Sequence, residues 1–251
     1  MKITIVTATY NSSPTLADCL QSVNSQTYPF EHIIVDGASE DNTLELIHNL
    51  SPVARILSEP DYGIYDAMNK GIALATGDIV GFINSDDVYA DNEVLKRVVE
   101  LFTDNPEIHA CYGDLCYVKR DDISSVVRYW RSCEYMDGLF EKGWAPPHPT
   151  FYVRKSVYCD YGGFDLSYKI AADFELMLRF MKVHKVNTMY LPHNLVKMRL
   201  GGVTNRSYMN ILRQNLEIRR ALSKHKVRSS LISYLANKLW TRIQQFSQRP
   251  Q

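Results

Sequence analysis

The first hundred residues alternate short β-branched runs with segments of helical period, and no other feature restricts the fold as much. KITIVTA (2–8), HIIVDG (32–37), VARIL (53–57) and DIVGFIN (78–84) read as strands. Between the first two, SSPTLADCLQSV predicts a helix with Ser13 as N-cap, Pro14 in its first turn and Leu16, Cys19, Leu20 and Val23 on one face. A second helix is expected over about 41–50. In GIYDAMNKGIALATG (63–77), Ile64, Met68, Ile72 and Ala75 share a face, with Gly77 as the expected C-cap. A fourth helix, around 91–103, turns Val94, Leu95, Val98, Val99 and Phe102 inward. Strands alternating with helices of this length imply βαβ units and an α/β fold around a mostly parallel sheet.

Beyond residue 105 the alternation loosens. HACYGDLCYV and SSVVRYWRS read as strands of a mixed region, and GWAPPHPT as a rigid loop leading into FYVRKS. ADFELMLRFMKVH (172–184) is helical, burying Phe174, Met177, Leu178 and Met181, and VNTMYLP is the last expected strand. From Ser207 the pattern is mainly helical. With 45% hydrophobic and 22% charged residues the chain is globular rather than disordered or fibrous. No apolar run approaches the roughly 18–20 residues that span a bilayer, and MKITIVTATYNSS reads as a strand rather than a signal peptide. Five scattered cysteines without a CxxC pair suit reduced packing residues of a cytosolic protein, not a zinc site.

In an open α/β sheet, ligands bind beyond the carboxyl ends of the strands. Polar residues collect at those ends: Thr7, Thr9, Tyr10 and Asn11 after the first strand, Asp36, Gly37 and Ser39 after the second, and Asn84, Asp86 and Asp87 after the fourth. Such exits suit a polar ligand carrying ribose and phosphate. Neither GxGxxG nor GxxxxGK[ST] occurs, so the usual dinucleotide fold and the P-loop are unsupported.

Each position has a plainer reading. Asp36 in DGAS could be a turn residue. Asp86 and Asp87 could cap the next helix, but Asp91 lies nearer its apolar start. Two further acids after a buried strand suit ribose or a hard divalent cation, Mg²⁺ or Mn²⁺. Asp173 could be an N-cap, although Leu176 stands where a capping box needs an acid; a carboxylate at a helix start also suits a base. His148, boxed by prolines, is by itself a loop residue, a metal ligand or an acceptor contact.

Taken together and in order, TATYN, VDGASEDNT, EPDYGIYDAMNKGIALATGD, FINSDD and AADFELMLR resemble the family 2 glycosyltransferases of the GT-A fold. The likeness covers about residues 3–180 and is greatest to the bacterial branch that builds capsule, exopolysaccharide and O-antigen units. The resemblance implies that Thr7, Thr9, Tyr10 and Asp36 hold the base of a nucleoside-diphosphate sugar, with Asp36 suiting uracil. Asp66, Asn69 and Lys70 would lie along the nucleotide, beside Asn84. Asp86 would contact ribose, Asp87 would ligate Mn²⁺ or Mg²⁺, and Asp173 would be the general base of an inverting transfer. His148 is carried over as an acceptor or metal contact. Two departures stand out: Ala172 replaces the first acid of the base motif, and the metal motif reads x-D-D instead of D-x-D.

The implied organisation is a catalytic domain over 1–205 and a basic amphipathic helical tail over 206–251. The domain divides near 105 into a nucleotide-sugar half and an acceptor half. Residues 1–205 carry 18 Lys/Arg against 27 Asp/Glu; residues 206–251 carry 10 against Glu217 alone. In 231–246, Leu231, Leu235, Leu239 and Ile243 recur every fourth residue beside Lys238 and Arg242. Such a helix either packs on the domain or docks on anionic lipid. The second suits a cytoplasmic enzyme working at the inner leaflet on a lipid-linked or oligosaccharide acceptor. Nucleic acid is not an expected partner, because no aromatic-rich basic sheet surface is evident. A sugar-nucleotide nucleotidyltransferase is the main competitor, but TATYNSSP lacks the Gly and basic residues that hold a triphosphate. A non-catalytic carbohydrate-binding protein would not need Asp87 and Asp173 together.

Overall fold

The structure, a computed structural model, describes residues 1–201 and 208–229 together with Tyr234, Asn237 and Gln245. The chain begins β1 (Ile3–Thr9), α1 (Leu16–Asn24), β2 (Phe30–Asp36), α2 (Thr43–Leu50), β3 (Arg55–Ser58), α3 (Ile64–Leu74) and β4 (Ile79–Phe82). It continues through β5 (Val88–Tyr89), α4 (Val94–Asp104), β6 (Ala110–Val118), β7 (Val126–Trp130), β8 (Tyr152–Arg154) and α5 (Lys155–Tyr161). Then come α6 (Ala172–Met177), extended by a π-helical turn to Val183, β9 (Thr188–Arg199) and α7 (Tyr208–Lys224).

Among the described residues nine strands form one sheet, ordered β3-β2-β1-β4-β8-β6-β9-β5, with β7 on the side of β6. β3, β2, β1 and β4 run parallel, as do β6 and β9, while β8 is antiparallel to both its neighbours. Every residue of β1 is buried, as expected of a central strand covered on both faces. On one face Ile3 and Ile5 meet Cys19 and Val23 of α1 and Val94, Val98 and Phe102 of α4. On the other, Val6 and Ala8 meet Ala67 and Met68 of α3 in a cluster that also holds Phe174 and Leu176 of α6. Gly71 lets α3 reach β1: a Cβ there would lie 2.3 Å from Val6 Cγ1.

Several boundaries differ from expectation for local reasons. α1 starts at Leu16 with Thr15 as N-cap, rather than at Pro14 with Ser13 as N-cap, because the Ser12 carbonyl accepts the Thr15 and Leu16 amides and Asp41 takes the Ser13 amide. α3 ends at Leu74 and its C-cap is Ala75; Gly77 instead packs against β1, giving its amide to Thr4 Oγ1. Asp91 precedes α4 without capping it: its Oδ1 accepts the Glu93 amide and pairs with Arg97. β9 is twelve residues long, running well past the expected VNTMYLP because its remote partner β6 continues to pair with it as far as Arg199.

α7 contributes Ile218, Ala221 and Leu222 to the cluster that includes Val6 and Phe174, so the first part of the 206–251 segment shares the core of the rest. The expected interfacial helix over 231–246 lies outside the described residues, apart from three side chains. Tyr234 is buried against Gly143, Asn237 is half-buried, and Gln245 accepts a hydrogen bond from Arg128. Among the described residues no helix is long and apolar enough to cross a membrane.

Candidate active site

The parallel strands β1, β2 and β4 deliver most of the expected residues to one edge of the sheet. Thr9 and Asp36 are register partners at the ends of β1 and β2. Thr9 is 4% exposed, and its Oγ1 has no hydrogen-bond partner among the described residues, an orphan that a ligand hydroxyl or amide would satisfy. Thr7 sits deeper, its hydroxyl sharing a 3.0 Å hydrogen bond with His32. Asp36 is fully buried and already accepts from the Ser39 amide, the Ser39 hydroxyl and the Ser58 hydroxyl. Over it stand two groups that can meet a ligand. Tyr10 is 59% exposed, and Asp61 packs so close to Gly37 that a Cβ there would lie 2.7 Å from Asp61 Oδ2. Asp61 was legible in the sequence only as one of the two acids of EPDYG.

Asp66, Asn69 and Lys70 share a face of α3, and each is engaged by protein groups. Asp66 accepts the Tyr62 amide. Lys70 donates to the Pro60 carbonyl and pairs with Glu59 at 2.8 Å. Both amide groups of Asn69 close on the backbone of Phe164, at 2.9 and 2.8 Å. These three fasten the 59–63 loop and Phe164.

After β4 the two acids part. Asp86 is half-buried, whereas Asp87 is fully buried. The Asp87 carboxylate accepts from the Asn84 side chain at 2.9 Å and from the Arg199 amide at 3.3 Å. Burial, then the neighbouring charge of Asp86, pushes its pKa well above the usual carboxylate range. Arg199, 5% exposed, donates to the Asp86 carbonyl at 2.8 Å and to the Arg120 carbonyl, and pairs with Asp18. Nothing in the sequence singled out Arg199. This loop is thus fixed from below, leaving the Asp86 carboxylate as its half-open acid.

Asp173, half-buried in the first turn of α6, accepts the Phe174 amide at 2.8 Å and the Tyr65 hydroxyl at 3.2 Å on the same oxygen, Oδ1. Oδ2 has no hydrogen bond among the described residues. His148 is brought to the same place. Its ring stacks on Phe82, with centroids 5.7 Å apart, and meets Phe164 edge-on at 5.6 Å. Burial lowers the imidazole pKa and the charge of Asp173 works the other way, so the ring is held neutral beside that acid. Phe82 is the last residue of β4, four residues before Asp86, at most about 14 Å of chain. Both half-exposed acids therefore lie near the carboxyl end of β4.

Among the described residues no group of three or more His, Cys, Asp and Glu side chains could hold a metal by itself. The half-exposed Asp86 carboxylate is a hard oxygen donor of the kind that Mg²⁺ or Mn²⁺ accepts together with ligand phosphates.

Known proteins agree with this architecture. The family model described as Glycosyl transferase family 2 matches residues 4–155. An uncharacterized glycosyltransferase of Mycobacterium tuberculosis is 32% identical over 181 residues, 70% of this chain and 68% of its own length. A PGL/p-HBAD biosynthesis glycosyltransferase of Mycobacterium bovis is 30% identical over 209 residues, 80% of this chain and 78% of its own. Among solved structures, S. aureus TarS 1–349 in complex with UDP-GlcNAc superposes with a TM-score of 0.67 at 18% identity, over 92% of this chain and 68% of that one. Mannosyltransferase PcManGT from Pyrobaculum calidifontis, in complex with GDP-Man and Mn²⁺, gives 0.62 at 17%, over 97% and 84%. At these identities the structural likeness speaks for the fold, which is GT-A.

Proposed function

The chain belongs to glycosyl transferase family 2, and we propose that it is an inverting, metal-dependent enzyme of surface-polysaccharide assembly. It moves a sugar from a nucleoside-diphosphate donor to a hydroxyl of a lipid-linked saccharide. The observation that carries the reading is the presence of two half-exposed acids near the carboxyl end of β4: Asp173, steadied by Tyr65, and Asp86, on a loop steadied by Arg199.

In this mechanism Asp173 Oδ2 accepts the proton of the acceptor hydroxyl as its oxygen attacks the anomeric carbon. The bond from that carbon to the diphosphate oxygen breaks on the opposite face, and the configuration inverts. Mn²⁺ or Mg²⁺, when bound, neutralises charge on the departing diphosphate. Asp86, the half-exposed acid of the loop, is the carboxylate that would ligate it in this reading, a role that the resemblance gives to Asp87. Asp87, buried under the loop, fixes the backbone that carries Asp86. Tyr10, Asp61 and the unpartnered Thr9 hydroxyl line the place for base and ribose, with Asp36 behind them. His148, neutral against Phe82, borders the acceptor side.

A UDP-sugar is the first donor to test, since Asp36 suits uracil and TarS carries UDP-GlcNAc in the same fold; the GDP-Man complex of PcManGT keeps GDP-sugars in the panel. The lipid-linked acceptor is compatible with the relative named for PGL/p-HBAD biosynthesis. A place at the inner face of the cytoplasmic membrane is part of the same proposal, supported by the basic composition of 206–251. Thermal-shift measurement with UDP-, GDP- and dTDP-sugars plus Mn²⁺ tests the whole reading: one nucleotide class should stabilise the chain, and silence across the panel overturns it.

A further inference from the structure

Glu217 is the single acid among eleven charged residues in 206–251, yet it is 92% buried. Its carboxylate accepts three successive backbone amides: Lys169 at 3.0 Å, Ile170 at 2.8 Å and Ala171 at 2.9 Å. Arg213, one turn earlier on α7, lies 3.5 Å away. Those amides precede α6, whose N-cap Ala171 supplies no side-chain cap. A carboxylate from another helix thus holds three successive amides of the segment leading into α6, the last of them that of its N-cap.

The same turn holds Asp173. The Ile170 carbonyl accepts the Tyr65 hydroxyl at 2.9 Å, the hydroxyl that also reaches Asp173. The Ala171 carbonyl accepts the Glu175 amide, the first helical bond of α6. On either side α7 takes further hold: Arg220 on Ser167, and Lys224 on Asp165 and Glu175. With the peptide units of 169–171 fixed by Glu217, both the Tyr65 contact and the direction of the first α6 turn are fixed.

We infer that Glu217 is a positioning residue for the transfer reaction, orienting Asp173 through the 169–171 backbone while touching neither donor nor acceptor. The inference rests on the function proposed above. Its test compares Glu217→Gln, Glu217→Asp and Leu222→Ala in the full chain, the last loosening α7 through its buried apolar face. The readout is nucleoside diphosphate release from UDP-GlcNAc or GDP-mannose with Mn²⁺, alongside melting temperature and amide exchange. Glu217→Gln should lower kcat by about 10²-fold, as misplacement of a reacting group does. Donor KM should stay unchanged within about twofold, and exchange at 169–171 should accelerate. Leu222→Ala should lose comparable thermal stability and keep kcat within about threefold. If Glu217→Gln does not fold, Glu217→Asp, which retracts the same carboxylate by one methylene, decides on the same measures. Turnover that merely follows melting temperature in all three variants overturns the inference, as does unchanged kcat or unchanged exchange at 169–171. A wild-type chain that neither releases diphosphate from these donors nor is stabilised by any UDP-, GDP- or dTDP-sugar defeats the function reading and this inference together, whereas an active wild type with an unaffected Glu217→Gln defeats the inference alone.

Discussion

The hydroxyl of Tyr65 lies 3.2 Å from Asp173 Oδ1 and 2.9 Å from the Ile170 carbonyl, so one proton steadies both the acid and the turn before it. Removing that hydroxyl leaves the ring, stacked on Phe164 at 5.4 Å, in place. Tyr65→Phe is therefore expected to fold normally and to lose about tenfold in kcat, the size of one hydrogen bond. Steady-state rates beside a circular dichroism melt check this.

Asp173→Asn keeps the shape and removes the proton acceptor. Transfer should fall by about 10³-fold or more, while calorimetric donor affinity stays near wild type. Near-normal turnover would remove Asp173 from the mechanism.

The two acids of the donor loop should separate cleanly. Asp86→Asn is expected to leave the melting temperature unchanged and to weaken Mn²⁺-dependent donor binding. Asp87→Ala leaves the Asn84 amide and the Arg199 amide without an acceptor, at about 1–3 kcal/mol each. Its melting temperature should drop by several degrees, at about 2–4 °C per kcal/mol, even without donor. A reversed pattern would return the metal to Asp87.

Acid stability turns on residues under the sheet. Burial works to raise the pKa of Glu31, but hydrogen bonds from Thr4 and Thr76 outweigh it and bring the carboxyl down to about 2. A depressed carboxylate stabilises the fold above its unfolded pKa, and the contribution is lost as pH falls from 4.5 towards 2. His32, pushed down from 6.5 to about 4 by burial, stays neutral in the fold, so stability also declines as pH drops through that window. Glu31→Gln should cost about 1–3 kcal/mol at pH 7, and urea titrations should show the gap from wild type closing on acidification towards about pH 2.

Gly71→Ala opposes two effects. Alanine favours the helix by about 1 kcal/mol, but its Cβ would meet Val6 Cγ1 at 2.3 Å in a packed core, where overpacking costs about 1–3 kcal/mol. The clash should win, lowering the urea midpoint with an unchanged slope.

The βαβ order was readable because strand and helix periods differ and the early helices each bury one apolar stripe. The shared face of Asp66, Asn69 and Lys70 was readable for the same reason; what it faces was not, since Phe164 and Pro60 come from elsewhere in the chain. Asp86 and Asp87 sit on a turn closed by the Asp87 amide on the Asn84 carbonyl, which sends one carboxylate inward and leaves the other half-open. Sequence could not say which, because the deciding partner, the Arg199 amide, lies 112 residues further on. Glu217 was visible as a lone acid, but its three amide partners are backbone and leave no trace in residue type.

The pairing of β5 with Val196 and Lys197 of β9, continued by Arg199 at the donor loop, sets an order of events during synthesis. A nascent chain that has left the ribosome only as far as α4 already contains β1 to β4 and both acids of the loop. It still lacks the strand that covers Asp87. The loop can take its final form only after residue 199 has emerged, so the nucleotide-facing half is completed from the far end of the sheet. Truncation before β9 removes the Arg199 amide from Asp87 and leaves the Asn84 side chain as its hydrogen-bond partner.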